Sequence, residues 1–370
     1  MSKFKEVTYD PLKSIARIGA GNIWDEVYAK ITHHNVNVVG GRIQGVGVGG
    51  FLLGGGYGWT TQQHGLAIDT IIAYDLVTPT GNILNVTASN YPDLFWALKG
   101  GGNNFGIVTT FTMKTHAQTK VYGGHIFYNK HIDRVTEAIA EFDENNSDPK
   151  AAIIPTYAAT PVGFEIILYI FYDHPLPPRD TFKIFLDIPA KAKNLRTRTF
   201  PKLIHSLGSV PRPPRLVSQT VPIIQYTKPI LDEIVKQTKE LARAAEGVDL
   251  GIYAALTVEP FMRNTHQHAQ GGAYPHSQEH PWTPLQMLIG YVNPLEDKRT
   301  ASLITKGANS IHAVAIRENQ SSADAILYNN YAQQGTDLSL LYGENLQKLR
   351  ELRARYDPDN IINLTGGWKL

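Results

Sequence analysis

Apolar positions along the first hundred residues alternate between strand and helix periods. Ile15–Gly19 reads as a strand, and Asn22 is placed to cap a helix in which Trp24, Val27, Tyr28 and Ile31 form one apolar stripe. Val36–Val39 reads as a short buried strand. Thr70–Val77 and Ile83–Val86 read as strands joined by the Pro79-Thr80-Gly81 turn. Pro92–Leu98 suits a short helix, and Ile107–Met113 a further strand. Beyond His116 the texture changes to strands such as Phe164–Tyr172 and Gly251–Val258, interleaved with amphipathic helices. One helix is expected over Asp133–Glu144, with Val135, Ile139 and Phe142 on a single face. Another is expected over Ile230–Ala245, with Pro229 suited to its start and Gly247 just past its end. Ser339–Tyr356 reads as one helix stopped by Asp357-Pro358. The later part therefore predicts an antiparallel sheet covered by helices, an α+β arrangement.

The densest feature is Gly40–Gly58, GGRIQGVGVGGFLLGGGYG, in which more than half the residues are glycine. Glycine lets a backbone adopt positive φ and approach a ligand closely, and successive N–H groups can cradle phosphate oxygens. That density points to a nucleotide or flavin ligand over a purely structural loop. Gly45-x-Gly47-x-x-Gly50 matches the dinucleotide fingerprint literally, with Asp69 further on. The fingerprint requires a helix to open at its last glycine, and Phe51–Gly58 carries too many glycines to be expected to propagate one. The nicotinamide reading is set aside on that ground. A second glycine cluster, Gly100-Gly101-Gly102-Asn103-Asn104-Phe105-Gly106, precedes the strand at Ile107.

Composition narrows the classes. A chain of 370 residues suits two domains of roughly 100–200 residues each. With 42% hydrophobic and 18% charged residues its balance is globular, and a net charge of +2 argues against a nucleic-acid partner. There are no cysteines, so disulfides, thiolate metal sites and cysteine nucleophiles are excluded. No apolar run approaches the roughly 18 residues of a membrane span. Met-Ser-Lys-Phe-Lys-Glu is not a signal peptide, which leaves localisation unknown. No acidic residue falls between Asp187 and Asp232, where Lys191, Lys193, Arg196, Arg198, Lys202, Arg212, Arg215 and Lys228 lie. This stretch reads either as a solvated loop around Pro211-Arg212-Pro213-Pro214 or as a patch attracting an anionic substrate. His266, His268, His276 and His280 cluster without regular spacing, which favours a polar loop near a substrate mouth over a metal site.

Three strings, VGVGGFLLGGGYGW, HGLAIDTI and DLFWALKGGGNNFGIVT, together with YNNY at Tyr328–Tyr331, YGEN at Tyr342–Asn345 and YDPDN at Tyr356–Asn360, resemble the berberine bridge enzyme-like oxidoreductases in order and spacing. The resemblance covers residues 1–116 and 325–370 by motif. It implies an α+β, two-domain vanillyl-alcohol oxidase type FAD-binding fold, whose substrate domain is an antiparallel sheet covered by helices. The implied parts are a partial FAD-binding domain (1–118), a substrate domain (119–324) and a closing segment (325–370) returning to the first. FAD is the implied cofactor. Val46, Gly47, Gly49, Gly50 and the turn Gly54, Gly55, Gly56, Tyr57, Gly58 would line its pyrophosphate and flavin. Gly102, Asn103, Gly106, Ile107 and Val108 would meet its adenine and ribityl regions, and Tyr328 and Asn330 the flavin ring. Tyr331 matches the tyrosine that takes a proton from substrate while hydride passes to flavin N5. The implied activity is an oxidase of secondary metabolism, acting on a CH–OH or CH–N centre of a small organic substrate, with O2 as acceptor and H2O2 as product.

Ile43 occupies the position where many relatives carry a flavin-linked cysteine, so that second covalent bond is excluded. Val46 matches a position where a small residue accompanies oxidase behaviour, and Ile362 stands where phenylalanine is common. Relatives carry about one further subdomain half before the point matching Met1, including an Arg-x-Gly-Gly-His-type loop and a flavin-bonded histidine. The expectation is non-covalent, weakened FAD binding and a cofactor domain unstable alone. The alternatives are a dehydrogenase or cyclase, and a flavin-free chain acting as a binding or interaction protein. Tyr226, Gln286 and the His266–His280 loop are the candidates for substrate contact.

Overall fold

In a computed structural model, which describes residues 1–160, 163–209, 213–245 and 253–370, the strand-forming runs pair into two large antiparallel sheets and one two-stranded sheet. The first holds five strands in the order Val7–Asp10, Ile15–Gly19, Ile107–Lys114, Ile71–Val77 and Ile83–Thr87. Every pairing in it is antiparallel, with a register shift between Ile71 and Ala73. An all-antiparallel sheet has no βαβ crossover, and this excludes a nicotinamide-type Rossmann half on topology. The second sheet holds seven strands in the order Ala192–Arg198, Val121–Tyr128, Gly163–Tyr172, Ala151–Thr160, Tyr253–Thr257, Thr283–Tyr291 and Arg215–Ile223.

Helices Ile132–Asn145, Lys228–Ala245 and Asp297–Arg317 bury one apolar stripe each in the core of the second sheet. Ile230, Leu231, Ile234 and Leu241 supply the stripe of the middle one. The core of the first sheet gathers residues distant in sequence. Ile18, Trp24, Leu52 and Phe111 pack there with Phe171, Tyr328, Leu341 and Leu349. The closing segment is thus built into the first core.

Several expectations require correction. The expected single helix over Ser339–Tyr356 is two helices, Ser339–Tyr342 and Asn345–Tyr356, because Gly343 adopts φ 51° between them. Asp357 ends the second, its carboxylate accepting from the N–H groups of Ile361 and Ile362. Asn22 does not cap the helix Trp24–Ile31. Its Nδ2 donates to Gly19 O, and Glu26 instead reaches back to the N–H of Ile23. The strand expected over Val36–Val39 extends only over Val36–Asn37, paired with His116–Ala117. The largest correction concerns the glycine loop, where Val48–Gly54 is helical. Burial of Val48 and Leu52 in the first core overrides the low intrinsic propensity of its glycines, and the helix ends where Gly55 adopts φ 135°. Pro211, Arg212, Gly247, Gly251 and Ile252 lie outside the described residues.

Candidate active site

Three remote segments converge beside the glycine loop. Arg42 is held from both sides of its own backbone. Tyr28 donates its hydroxyl to Gly41 O at 2.8 Å, and Trp59 donates Nε1 to Arg42 O at 3.0 Å. Arg42 Nη2 then lies 2.6 Å from Glu259 Oε1, with the two side chains 9% and 1% exposed. Glu259 follows the strand Tyr253–Thr257, and its N–H donates to Tyr226 Oη. The closing segment contributes Tyr331. Its hydroxyl donates to Glu259 Oε1 at 2.9 Å and accepts from Arg42 Nη2 at 3.0 Å, which closes a hydrogen-bonded triangle. Glu259 Oε2 has no partner among the described residues. The cavity walled by Arg42, Trp59, Glu259 and Phe261 is about 10 Å³, at most one water.

Burial sets the charge states of this triangle. It pushes the Glu259 carboxyl above its ordinary value, although Arg42 pulls the other way. Burial is the largest single influence on the Arg42 guanidinium and pulls it down, but the charge and hydrogen bond of Glu259 together with Tyr331 and Tyr328 outweigh it and hold the proton more tightly. The Tyr331 phenol is pushed well above its ordinary value by burial and by Glu259, with Arg42 opposing. Tyr331 is therefore a phenol with a built-in proton acceptor beside it.

Tyr328 and Asn330 lie on the same segment, in the turn that carries Tyr331. Tyr328 Oη accepts from the Gly56 N–H and from Asn330 Nδ2, both at 2.9 Å, and burial raises its pKa to about 12. Asn330 also bonds Phe51 O. The rings of Tyr328 and Tyr331 meet edge to face at 4.8 Å, and Tyr57 meets Tyr328 at 5.0 Å.

The loop glycines divide into two groups. A Cβ at Gly54 would lie 2.2 Å from Asn330 Oδ1, one at Gly56 2.6 Å from Phe51, and one at Gly58 2.9 Å from Gly40 O. Gly55 and Gly56 also hold φ of 135° and 95°. Their closeness is taken up by protein. Gly47 and Gly50 are exposed, and a Cβ on either would meet nothing within 4 Å. With Val46 and Gly49 between and beside them, they present bare main chain to open space. The second cluster sits nearby. Gly102 N donates to Leu53 O, and Asn103 Nδ2 donates to Thr365 Oγ1 and Gly366 O. Gly106 adopts φ 142° against Val77 O, Ile107 is exposed and Val108 is buried.

Chemistry-bearing residues beyond the expected set also appear. Arg42 is the one charged residue of the glycine string, and Glu259 sits in a run of apolar neighbours; each was visible as an isolated charge. His276, one of the clustered histidines, is buried. Its Nε2 lies 2.9 Å from Asp69 Oδ1 and its Nδ1 2.8 Å from Tyr274 O. Both nitrogens thus face oxygen atoms, which fixes the ring in place. His266 is buried near Tyr57 and His276, and burial pulls it down to about 4. His268 is half-buried and His280 is exposed. Tyr226 is buried against Glu259, and Gln286 is half-buried on the strand Thr283–Tyr291.

Comparison with known proteins identifies the family. Residues 1–87 match an FAD binding domain, and residues 328–365 match the berberine and berberine-like segment. FAD-dependent monooxygenase sdcF of Emericella nidulans is 31% identical over all of this chain and 80% of that protein. An uncharacterized FAD-linked oxidoreductase of Arthroderma benhamiae is 39% identical, over 55% of this chain and 40% of its own length. In three dimensions, 6-hydroxy-D-nicotine oxidase from Arthrobacter nicotinovorans superposes with a TM-score of 0.77 at 18% identity, covering 97% of this chain and 79% of that one. The chain belongs to the berberine bridge enzyme-like FAD-linked oxidoreductases, with the two-domain vanillyl-alcohol oxidase type fold. FAD is its cofactor, and the bare face Gly47–Gly50 fits it: a ligand can lie directly on main chain there without displacing any side chain.

Proposed function

We propose that the chain oxidises a CH–OH or CH–N centre of a small organic substrate, with Tyr331 and Glu259 moving the proton. The observation that supports this is the closed triangle Arg42–Glu259–Tyr331 next to the bare glycine face. FAD would be held non-covalently by Val46, Gly47, Gly49, Gly50, Tyr328 and Asn330, and would supply the hydride-accepting chemistry, with O2 as the final acceptor and H2O2 as the product. A phenol whose pKa lies above its ordinary value is a weak base by itself. Tyr331 can nonetheless take the substrate's proton as it hands its own to Glu259 Oε1, 2.9 Å away. The phenol then never carries a full charge, and Arg42 Nη2 at 3.0 Å holds whatever partial charge develops. Residues 1–118, 119–324 and 325–370 are the working parts of this reading: cofactor platform, substrate cover and base-bearing closing segment.

The test uses the FAD-loaded protein and a panel of alcohols, sugars and cyclic amines. Product and H2O2 should form in equal amounts. Tyr331→Phe should lower kcat about 100-fold or more while the flavin absorbance is kept. Activity within threefold of the parent in that variant would remove Tyr331 from the mechanism. Product carrying an added oxygen atom would assign instead the monooxygenase chemistry for which the Emericella relative is named. Turnover only with an artificial acceptor would make it a dehydrogenase.

A further inference from the structure

We propose a second ligand site: the cleft behind the cofactor loop binds a phosphate-bearing molecule of nucleotide size. The cleft is about 900 Å³. Asp25 and Ala29 of the helix Trp24–Ile31 form one wall. The strand Ala192–Arg198, the helix Phe200–Ser206 and Lys120 form the other.

Four cations line it, Lys120, Arg196, Arg198 and Lys202, and none is within ion-pair distance of a carboxylate among the described residues. The one acid present, Asp25, is engaged by the Gly45 N–H at 2.8 Å. Arg198 is the telling member, because it is 7% exposed. Its Nη2 donates to Gly123 O, Asn194 O and Asn194 Oδ1, and its Nε to Arg196 O. All of these acceptors are neutral, and Nη1 has no hydrogen-bond partner among the described residues.

A buried guanidinium without a counter-charge is unfavourable until an anion completes it. A forked guanidinium matches two oxygens of a phosphate, and Arg196 stands two residues away on the same strand. Positive potential is maintained because no acid occurs from residue 188 to residue 231.

The cleft also touches the cofactor loop. His205 accepts Gln44 Nε2 both at Nδ1 (2.6 Å) and at its carbonyl oxygen (2.9 Å), and Asp25 holds Gly45. An anion in the cleft thus lies against the two residues that anchor Gln44-Gly45, immediately before the bare glycine face. The phosphate belongs to a molecule other than FAD, whose place is the bare glycine face. The site stands whether or not Tyr331 is the base.

The experiment is calorimetric titration of inorganic pyrophosphate, at constant ionic strength, into the protein with and without FAD. It is repeated on the double variant Arg196→Gln/Lys202→Gln, whose side chains are exposed and make no ion pair. One saturable site is expected, weakened at least tenfold in the double variant, with circular dichroism and melting temperature unchanged. Lys236→Gln/Lys239→Gln, on a distant helix, should leave it intact. Binding to the FAD-loaded protein identifies a separate ligand. Binding only to the FAD-free protein, with the double variant losing affinity for FAD but not riboflavin, assigns the cleft to the cofactor's own phosphates and overturns the second site. Absence of a saturable site in both states, or equal binding by the double variant, overturns the proposal.

Discussion

Replacing Arg42 by methionine tests the triangle most directly, because the two states of Glu259 predict different pH behaviour. Arg42 and Glu259 are 2.6 Å apart and almost fully enclosed. Methionine fills similar volume but leaves Glu259 with only the Tyr331 hydroxyl on Oε1 and nothing on Oε2. Breaking a buried pair by removing one partner costs about 3–5 kcal/mol, since the remaining charge is uncompensated. The carboxyl can avoid part of that cost by taking up a proton. Burial already pushes Glu259 upward, and Arg42 is its main opposing influence. In Arg42→Met the folded-state pKa therefore rises further above the unfolded value. The folded variant then binds a proton that the unfolded chain does not, so its stability is complete below the unfolded pKa. It falls as pH rises toward the folded one, by up to about 1.4 kcal/mol per pH unit. The assay is urea unfolding at pH 5, 7 and 9, followed by tryptophan fluorescence, to which Trp59 beside Arg42 contributes. The loss should be about 1–2 kcal/mol at pH 5 and about 3–5 kcal/mol at pH 9. Adding Glu259→Gln should recover at least about 2 kcal/mol at pH 9, because an amide carries no charge to leave unpaired. A loss below about 1 kcal/mol at every pH, or an equal loss with Glu259→Gln in place, would refute the reasoning.

The glycine loop should respond in opposite ways along its length. Gly50→Val meets open space, so the fold should persist while FAD affinity falls at least tenfold; Gly56→Ala, at φ 95° and against Phe51, should cost about 2–4 kcal/mol without FAD present. Asp143 is half-buried as a residue, and the desolvation of its carboxyl pushes it to about 7 even though the Tyr226 N–H donates to it. Its contribution to stability is complete below about pH 4 and fades as pH rises through about 7, so Asp143→Asn should be the more stable protein at pH 8, by at most about 4 kcal/mol, in thermal unfolding. His276→Ala should cost about 2–4 kcal/mol, because it strands the buried Asp69 carboxylate; a melting temperature within one degree of the parent would contradict that.

Much of the fold was legible because periodicity and burial agree. The strand Ile15–Gly19 and the helix Pro92–Leu98 fall where alternation and the proline start place them. The long helix Asp297–Arg317 carried the same kind of signal, since Thr300, Ile304, Gly307, Ala308, Ile311, Val314 and Ala315 share one buried face. Its small and polar members weakened the stripe, and it was not singled out. The helix Val48–Gly54 was illegible for a different reason. Its local propensity points away from helix, and only the packing of Val48 and Leu52 in a core shared with residues near 328–352 supplies the stabilisation. Resemblance marked Tyr331, but nothing local in the sequence pairs position 42 with position 259.

That non-local pairing bears on how the site is assembled. Arg42 comes from the glycine loop, Glu259 from the end of a strand in the second sheet, and Tyr331 from the closing segment. No two are neighbours in sequence, so the triangle exists only when all three segments are docked. Buried polar contacts outside the triangle enforce that docking. Gln62 donates to Ala151 O and accepts from the Met262 N–H, and Asn329 donates to Gly100 O. Asp69 accepts from the Gln270 N–H and pairs with His276. Each fastens a later segment to the residues that follow the glycine loop. If Tyr331 is the base as proposed, a substitution at one of these fasteners should slow turnover by loosening the triangle, although none of the fasteners belongs to it. Arg42, placed on the cofactor platform itself, couples the bare glycine face to the base: a shift of the loop that moves Gly47 also moves the guanidinium on which Tyr331 and Glu259 both depend.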